Sequence, residues 1–362
     1  MLTTDELRRY NRHLLIPEFG SVGQERLKAA RVLVIGCGGL GSPILLYLAA
    51  AGVGTLGIID GDRVDESNLQ RQILYGTASI GKAKVEETAE RLHSLNPFCV
   101  IEPYFEQLTS QNALAILEKY DLIIDGSDNF PTRYLVNDAC VLLNKPLIYG
   151  AIYRFEGQVA IFNYQNSPNY RDLFPKPPPP ELAPNCAEAG VLGVLPGIIG
   201  SLQANEAIKL LAGIGEPLVG KLFVMDALTL TTRIIKIPRL PVHFMIEKLI
   251  DYDEFCGIKT PDWEMEVTPE QLAEMLESNV DFQLIDVRET HEYAVDNLGG
   301  QLMPLSALAD FTGQISREKM VVIHCQSGVR SQKAIQQLLE QHGFMNLKNL
   351  KGGLAAFRKM HL

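Results

Sequence analysis

Residues Gly36-Cys37-Gly38-Gly39-Leu40-Gly41 constrain the fold of this chain more than any other stretch. They follow the apolar run Arg31-Val32-Leu33-Val34-Ile35 and precede the apolar segment Ser42–Ala50. A short apolar run without polar alternation reads as a strand buried on both faces, the mark of a parallel sheet. Gly36, Gly38 and Gly41 fit the spacing G-x-G-x-x-G, and Gly39 belongs to the same turn. Such glycines permit a tight strand-to-helix turn, let a phosphate approach the backbone and seat the helix on the sheet.

The pattern repeats downstream. Thr55–Asp60, Val100–Tyr104, Asp121–Asp125 and Pro146–Gly150 read as further strands. Gly81–Leu95, Gln107–Lys119 and Pro131–Leu143 read as the helices between them. This alternation specifies an α/β fold with a doubly wound, Rossmann-like sheet. The sheet is expected to be mixed, because Gln158–Tyr164 alternates and Leu222–Met225 and Thr232–Ile237 look like paired strands. Gln165–Ala183 contains prolines 177–180 and is expected to be an irregular crossing loop. Gly197–Leu211 reads as a long apolar helix. Pro238, Pro241 and Pro261, with acids at 251, 253 and 254, mark a linker. Thr268-Pro269-Glu270 then opens a helix of a second, small α/β unit. The expected division is 1–240, a linker at 241–265, and 266–362.

A net charge of -10, from 33 basic and 43 acidic residues, argues against a broad nucleic-acid surface. Six cysteines without a C-x-x-C pair are too sparse for a disulfide scaffold and fit a reducing, cytoplasmic setting. The N-terminus is charged and does not read as a signal peptide. Apolar stretches break before about 18 residues, so no membrane span is expected.

Asp60 ends a strand where a carboxylate can bind a ribose hydroxyl, and Asp62 follows it. Asn68, Arg71, Lys82 and Lys84 place amide and cationic groups just beyond. Basic groups beside a helix start suit a triphosphate better than a dinucleotide. Asp125 and Asp128 follow the next strand, and a hard carboxylate near phosphates suggests Mg²⁺, with Asp128 the better candidate. The alternative is an NAD-dependent oxidoreductase fused to a sulfur-binding module, supported by the glycine turn and Asp60 alone. Cys186 lies between the proline loop and a glycine-rich stretch leading into a helix, where flanking donors could lower its pKa. Cys325 opens the loop Cys325-Gln326-Ser327-Gly328-Val329-Arg330-Ser331. Successive amides, a helix start and Arg330 suit a thiolate or persulfide there. Tyrosine phosphatases place one more residue between cysteine and arginine, so the shorter loop favours sulfur as cargo.

The stretches Arg9–His13, Gly36–Ser42, Asp60–Asp62, Ser67–Gln72, Gly81–Lys84, Asp125–Asn129 and Asn185–Gly190 occur in the order that resembles the bacterial E1-like activating enzymes of the MoeB/ThiF family. These enzymes adenylate ubiquitin-like sulfur carriers of the MoaD and ThiS type. Residues 266–362 resemble the rhodanese domain of the two-domain versions, through Ile285–Glu289, Cys325–Ser331 and Leu350–Phe357. The resemblance implies an E1-like adenylation domain followed by a sulfurtransferase. ATP and Mg²⁺ are implied, with Asp60 on the ribose, Asn68, Arg71 and Lys84 on the phosphates and Asp128 on the metal. It implies a homodimer in which Arg12 reaches the other subunit's nucleotide. The implied partner is a sulfur carrier with a C-terminal Gly-Gly tail, and the implied sulfur source is a cysteine desulfurase or thiosulfate. Cys186 is the implied second nucleophile, through a thioester, an acyl persulfide or a disulfide.

Two departures stand out. Asn297-Leu298-Gly299-Gly300-Gln301 replaces the family's H-I-P-G-A stretch. Many relatives hold structural zinc on two C-x-x-C pairs, which correspond to Asn169–Asp172 and Asp253–Cys256 here. Only Cys256 retains sulfur, so no structural zinc is expected.

Overall fold

The computed structural model describes residues 1–178, 190–238, 246–257, 266–278 and 280–360. They fall into two units, Met1–Ile258 and Lys259–Leu362.

The first unit is built on an eight-stranded sheet. Its strands are β1 (Arg31–Ile35), β2 (Thr55–Ile59), β3 (Val100–Tyr104), β4 (Leu122–Asp125), β5 (Leu147–Tyr153), β6 (Glu156–Phe162), β7 (Lys221–Asp226) and β8 (Thr232–Lys236), in the order β3-β2-β1-β4-β5-β6-β7-β8. The neighbours from β3 to β5 are parallel, and β5 to β8 continue antiparallel. β1 and β4 are the central apolar strands, which is why their residues lack alternation. On one face the helices Gly41–Ala51 and Leu195–Ala212 pack together over Val32, Val34, Leu56 and Ile58. On the other face Tyr120, Tyr134, Cys140 and Tyr170 bury against Leu33, Ile35 and Ile123. No helix among the described residues is long and apolar enough to cross a membrane.

Several expected elements differ. The helix expected over Gln107–Lys119 is confined to Ala113–Leu117. Asn112 explains the loss: its Oδ1 accepts from Thr109 N at 2.8 Å and its Nδ2 donates to Gln107 O at 2.9 Å, a side-chain turn that competes with helix. The helix expected from Gly81 begins at Lys84. The crossing loop contains one helical turn, Tyr170–Leu173, capped by Asn169, whose Oδ1 accepts from Arg171 N at 2.8 Å. Residues 179–183 of that loop, and Cys186, lie outside the described residues. Within the expected linker, Tyr252–Phe255 is a helical turn packed on the helix Phe130–Leu142 of the first unit.

The second unit has five parallel strands, β9 (Glu266–Val267), β10 (Phe282–Asp286), β11 (Gln301–Leu302), β12 (Met320–His324) and β13 (Leu347–Leu350), ordered β11-β10-β12-β13-β9. The unusual stretch before Gln301 leads into the edge strand β11. Asn297 Nδ2 donates to Tyr293 O at 3.0 Å, and its Oδ1 accepts from Gly299 N at 3.0 Å, fixing the turn that enters β11.

Asn96 is fully buried and joins three segments of the first unit. Its Nδ2 donates to Ala49 O at 2.6 Å and to Tyr10 Oη at 2.9 Å, so it ties the N-terminal helices to the end of Gly41–Ala51. Asn96→Ala is expected to lower stability by about 1–3 kcal/mol through stranded polar groups. The urea midpoint of the first unit's transition measures it.

Candidate active sites

Strand register creates the first site. Ile35 stands beside both Ile59 and Asp125, so β1, β2 and β4 end level. The turns leaving them meet in one crevice, as expected where strand order reverses in a doubly wound sheet. Gly36, Gly38, Gly39, Asp60, Asp62, Arg71, Lys84 and Asp128 all line it. Asp60 Oδ2 accepts from Cys37 N at 2.8 Å, and Oδ1 accepts from Asp62 N at 2.9 Å. Lys84 is the buried first residue of its helix, and its Nζ lies 2.9 Å from Asp62 Oδ2 and 4.0 Å from Asp60 Oδ2. Burial pushes the Asp60 carboxyl up, opposed by the Lys84 charge and the two amide hydrogen bonds. Arg71 Nη1 donates to Ser67 O at 3.0 Å, which orients the guanidinium without neutralising it.

Other expected residues stand elsewhere. Gly41 is packed below the turn, where a Cβ would stand 2.0 Å from Gly36 O. Asn68 faces its own turn, with Oδ1 accepting from Asp65 N at 3.1 Å, and is not among the lining residues. Lys82 pairs with Glu87 at 2.9 Å. Arg12 is exposed on the short helix Asn11–Leu14. Asp125 is buried and accepts from Ser127 N at 2.9 Å and Ser127 Oγ at 2.6 Å, and burial raises its pKa. Gln72, Gln107, Leu108, Ser127 and Thr132 also line the crevice. Gln107 and Leu108 escaped sequence reasoning because they were read as helix. Their position just after a parallel strand was the available signal.

The chemistry of this donor set fits a nucleotide triphosphate with Mg²⁺. No group of three or more His, Cys, Asp or Glu side chains among the described residues could cage a metal. Mg²⁺ does not need one, since it binds through one or two carboxylates plus substrate phosphates and keeps several waters. Asp128, which lines the crevice, is a carboxylate that could serve in this way.

Gly193 and Pro196, further along the chain from Cys186, stand beside residues of this crevice and its flank. A Cβ on Gly193 would meet Gln70 Oε1 at 2.4 Å, and one on Gly39 would meet Pro196 Cβ at 3.0 Å and Arg71 Cγ at 3.5 Å. Six residues lie between Cys186 and Gly193, seven Cα steps that span at most about 25 Å.

The second site is the loop after β12. Cys325 is fully buried, and its Sγ accepts from Gly328 N at 3.2 Å. Ser331 Oγ lies 3.6 Å from that sulfur, 3.0 Å from Gly328 O and 2.6 Å from Asn349 Oδ1. Asn349 is a residue that sequence reasoning missed, since an isolated asparagine near a Lys-Gly-Gly turn reads as part of the turn. Arg330 does not point an unpaired charge at the sulfur. It forms two bonds to Glu292, at 2.6 and 2.7 Å. The hydrogen bond from Arg330 holds the Glu292 carboxyl down at about 2. His324 is fully buried, and burial lowers its pKa, opposed by the nearby Asp286 carboxylate.

The zinc positions of relatives hold different chemistry here. Arg171 donates to both Asp138 oxygens, at 2.8 and 2.7 Å, and Tyr252 Oη donates to Asp138 Oδ2 at 2.8 Å. The Arg171 guanidinium lies 4.6 Å from the Phe255 ring centre and 5.1 Å from that of Tyr134. Asn169 and Asp172 cap each other's backbone. Cys256 is buried, with its thiol pushed up to about 12 by burial. A cation, a capping pair and one protonated thiol do not fit a tetrahedral zinc site. A buried ion pair with aromatic faces joins these two stretches to the helix Phe130–Leu142.

Asp138→Asn is expected to cost about 3–5 kcal/mol by stranding the buried Arg171 charge. Urea unfolding measures this, and elemental analysis of the unmodified protein should find far less than one zinc per chain. Glu292 gives a pH signature. Its folded pKa is depressed from 4.5 to about 2, so its contribution is full above 4.5 and disappears as pH falls through 2. Glu292→Gln should therefore destabilise the second unit by about 1–2 kcal/mol at pH 7, allowing for partial exposure, with the deficit vanishing toward pH 2. Hydrogen exchange of peptides from residues 282–350 across a urea series, mutant against wild type at each pH, reads it.

The ThiF family matches residues 10–242, and the rhodanese-like domain matches residues 268–360. A Mycobacterium tuberculosis protein named as a probable adenylyltransferase/sulfurtransferase, MoeZ, is 46% identical over 99% of this chain and 94% of its own. A Thermus thermophilus sulfur carrier protein adenylyltransferase is 54% identical over 71% of this chain and 99% of its own. The Drosophila yakuba adenylyltransferase and sulfurtransferase MOCS3 is 41% identical over 98% of this chain and 84% of its own. The crystal structure of Escherichia coli MccB with ATP superposes at a TM-score of 0.57 and 23% identity, covering 65% of this chain and 73% of that one, and supports the fold. The chain belongs to the ThiF family, as an adenylyltransferase joined in one polypeptide to a rhodanese-like sulfurtransferase.

Proposed function

We propose that this enzyme uses ATP to adenylate the C-terminal Gly-Gly carboxylate of a ubiquitin-like sulfur carrier and then converts it to a thiocarboxylate. The observation that carries the reading is the convergence of the glycine turn, Asp60, Arg71, Lys84 and Asp128 in one crevice, in a chain that also holds the Cys325 loop. Asp60 binds the ribose, Arg71 and Lys84 hold the phosphates, and the amides of the Gly36–Gly39 turn face them. Asn68 joins them if its turn reorients when nucleotide binds. Asp128 would hold Mg²⁺, which would supply charge neutralisation to the phosphates. The carrier carboxylate attacks the α-phosphorus and pyrophosphate leaves. A carboxylate is already a sufficient nucleophile, so these residues act by positioning and charge stabilisation.

Exposed Tyr153, Phe155, Leu228, Leu230 and Ile234 surround the hairpin turns of β5–β6 and β7–β8. An apolar patch of this kind supports docking of a protein partner. Sulfur enters at Cys325. Its persulfide attacks the acyl-adenylate, releasing AMP and forming an acyl disulfide. Cys186 then attacks the Cys325 sulfur, the thiocarboxylate leaves, and a Cys186–Cys325 disulfide remains for an external thiol to reduce. The adenylating domain spans 1–240 and the sulfur domain 266–362. Arg12 completes the partner subunit's site in a homodimer. Molybdopterin, thiamine and related sulfur-transfer routes all use such carriers.

Asp128→Ala is expected to lower ATP–pyrophosphate exchange at least 100-fold while leaving persulfide formation at Cys325 intact, on the scale of losing one transition-state contact of about 10²–10³. Exchange at the wild-type rate would overturn the Mg²⁺ assignment. Hydride transfer to NAD without any pyrophosphate exchange would overturn the whole reading in favour of an oxidoreductase.

A further inference from the structure

The buried Ser331 hydroxyl has one proton and three acceptors within reach. Asn349 Oδ1 lies 2.6 Å away, Gly328 O 3.0 Å and Cys325 Sγ 3.6 Å. The shortest contact joins two oxygens and needs a proton between them, so the hydroxyl as it stands is committed to Asn349. Its lone pairs then face the sulfur, which suits a neutral thiol that can donate. It does not suit a sulfur anion, for which Gly328 N at 3.2 Å is then the donor that remains.

Asn349 has the means to change this. It stands on β13 opposite Ile323 of β12 and is 3% exposed. Its Nδ2 is buried and has no hydrogen-bond partner among the described residues. A carboxamide has nearly the same outline either way round, so turning it end for end displaces no neighbour and gives up no bond except the one to Ser331. Nδ2 then donates to Ser331 Oγ, and the hydroxyl proton turns toward Cys325. A side chain that only accepts, or an apolar one, cannot serve both states.

We infer that Asn349 is a positioning residue for the sulfur chemistry of Cys325: its carboxamide reverses with the charge on the sulfur and so turns the Ser331 hydroxyl from acceptor to donor. The inference rests on the reading of Cys325 as the sulfur acceptor. No covalent bond changes in the switch. The hydroxyl proton stays on Ser331 and only its direction changes, while the thiol proton is lost to solvent when the sulfur ionises. The anion gains one charge-assisted hydrogen bond, both as the thiolate that attacks a donor and as the persulfide that attacks the acyl-adenylate.

The first measurement is the rate at which the full chain is loaded with sulfur from cysteine persulfide, read from the mass of the peptide that carries Cys325. Asn349→Leu and Ser331→Ala should each slow loading by about tenfold, the scale of one hydrogen bond to a charged group. The double variant should be no slower than either single one, within about twofold, because both act through the same hydroxyl. Asn349→Leu should leave the second unit at least as stable as wild type by hydrogen exchange, since it removes a stranded donor. A merely structural asparagine predicts the opposite, a less stable unit with normal loading. Asn349→Ala replaces Asn349→Leu if the latter fails to fold.

The second measurement is the side-chain amide resonance of Asn349 in protein labelled at asparagine nitrogen, at one pH. One Nδ2 proton should lie further downfield in persulfide-loaded wild type than in Cys325→Ser, where the group at this position stays neutral. Ser331→Ala should abolish that difference. Loading of Asn349→Leu at the wild-type rate, multiplying effects of the two substitutions, or an amide signal that does not move on loading overturns the inference while the sulfur-acceptor reading stands. No loading of wild type overturns both.

Discussion

The first unit depends on the closeness with which the turn after β1 returns on itself. A Cβ at Gly41 would stand 2.0 Å from Gly36 O, so no side chain is compatible with this turn. The closeness brings the start of Gly41–Ala51 onto the sheet and leaves Cys37 N free to donate to Asp60 at 2.8 Å. The turn thus fixes the acid at the end of β2, and Asp60 in turn holds Asp62 N, beside which Lys84 is paired. The level ends of β1, β2 and β4 make the Asp125–Asn129 turn the opposite wall. A chain of short contacts therefore sets the crevice before any ligand contributes.

Sequence reasoning could read this site because its parts are local. The glycine spacing, the acid at a strand end and the lysine at a helix start each follow from a few adjacent residues. The same holds for Cys325, whose loop is continuous in sequence. Reading failed where a side chain outcompeted the backbone pattern, as at Asn112, which shortened an expected helix. It also failed where the partner was distant. Arg171 and Asp138 each look like ordinary surface residues, yet both are buried, and their pairing needs the crossing segment folded back on the helix Phe130–Leu142. Asn349 meets Ser331 only because β13 runs beside β12.

The Arg171–Asp138 pair shows how a buried ion pair can join segments as a metal site would. A zinc site draws segments together through bonds that persist as long as the thiolates stay ionised. A buried ion pair does so only if each charge is also hydrogen-bonded, since desolvation otherwise exceeds the attraction. Asp138 meets that condition with donors from Asn137, Arg171 and Tyr252. Arg171 adds the faces of Phe255 and Tyr134 to its two bonds, which a lysine could not match. The aromatic residues at 252 and 255 are therefore part of the clamp, and a substitution restoring cysteine alone would strand the remaining charges.

The two sites use arginine in opposite ways, and the difference follows from what each must hold. Arg71 is oriented by a carbonyl, Ser67 O at 3.0 Å, which fixes the guanidinium and leaves its full charge for an incoming anion. Arg330 is oriented by a carboxylate, which fixes it equally well but cancels its charge. A triphosphate needs the first arrangement, because its charge must be offset during binding and as pyrophosphate leaves. A single negative charge on sulfur can be met by an oriented amide and a hydroxyl, the donors that Gly328 N and Ser331 Oγ bring to Cys325. The Cys325 loop thus meets its sulfur with an amide and a hydroxyl, whereas the crevice of the first unit presents a guanidinium held by a carbonyl.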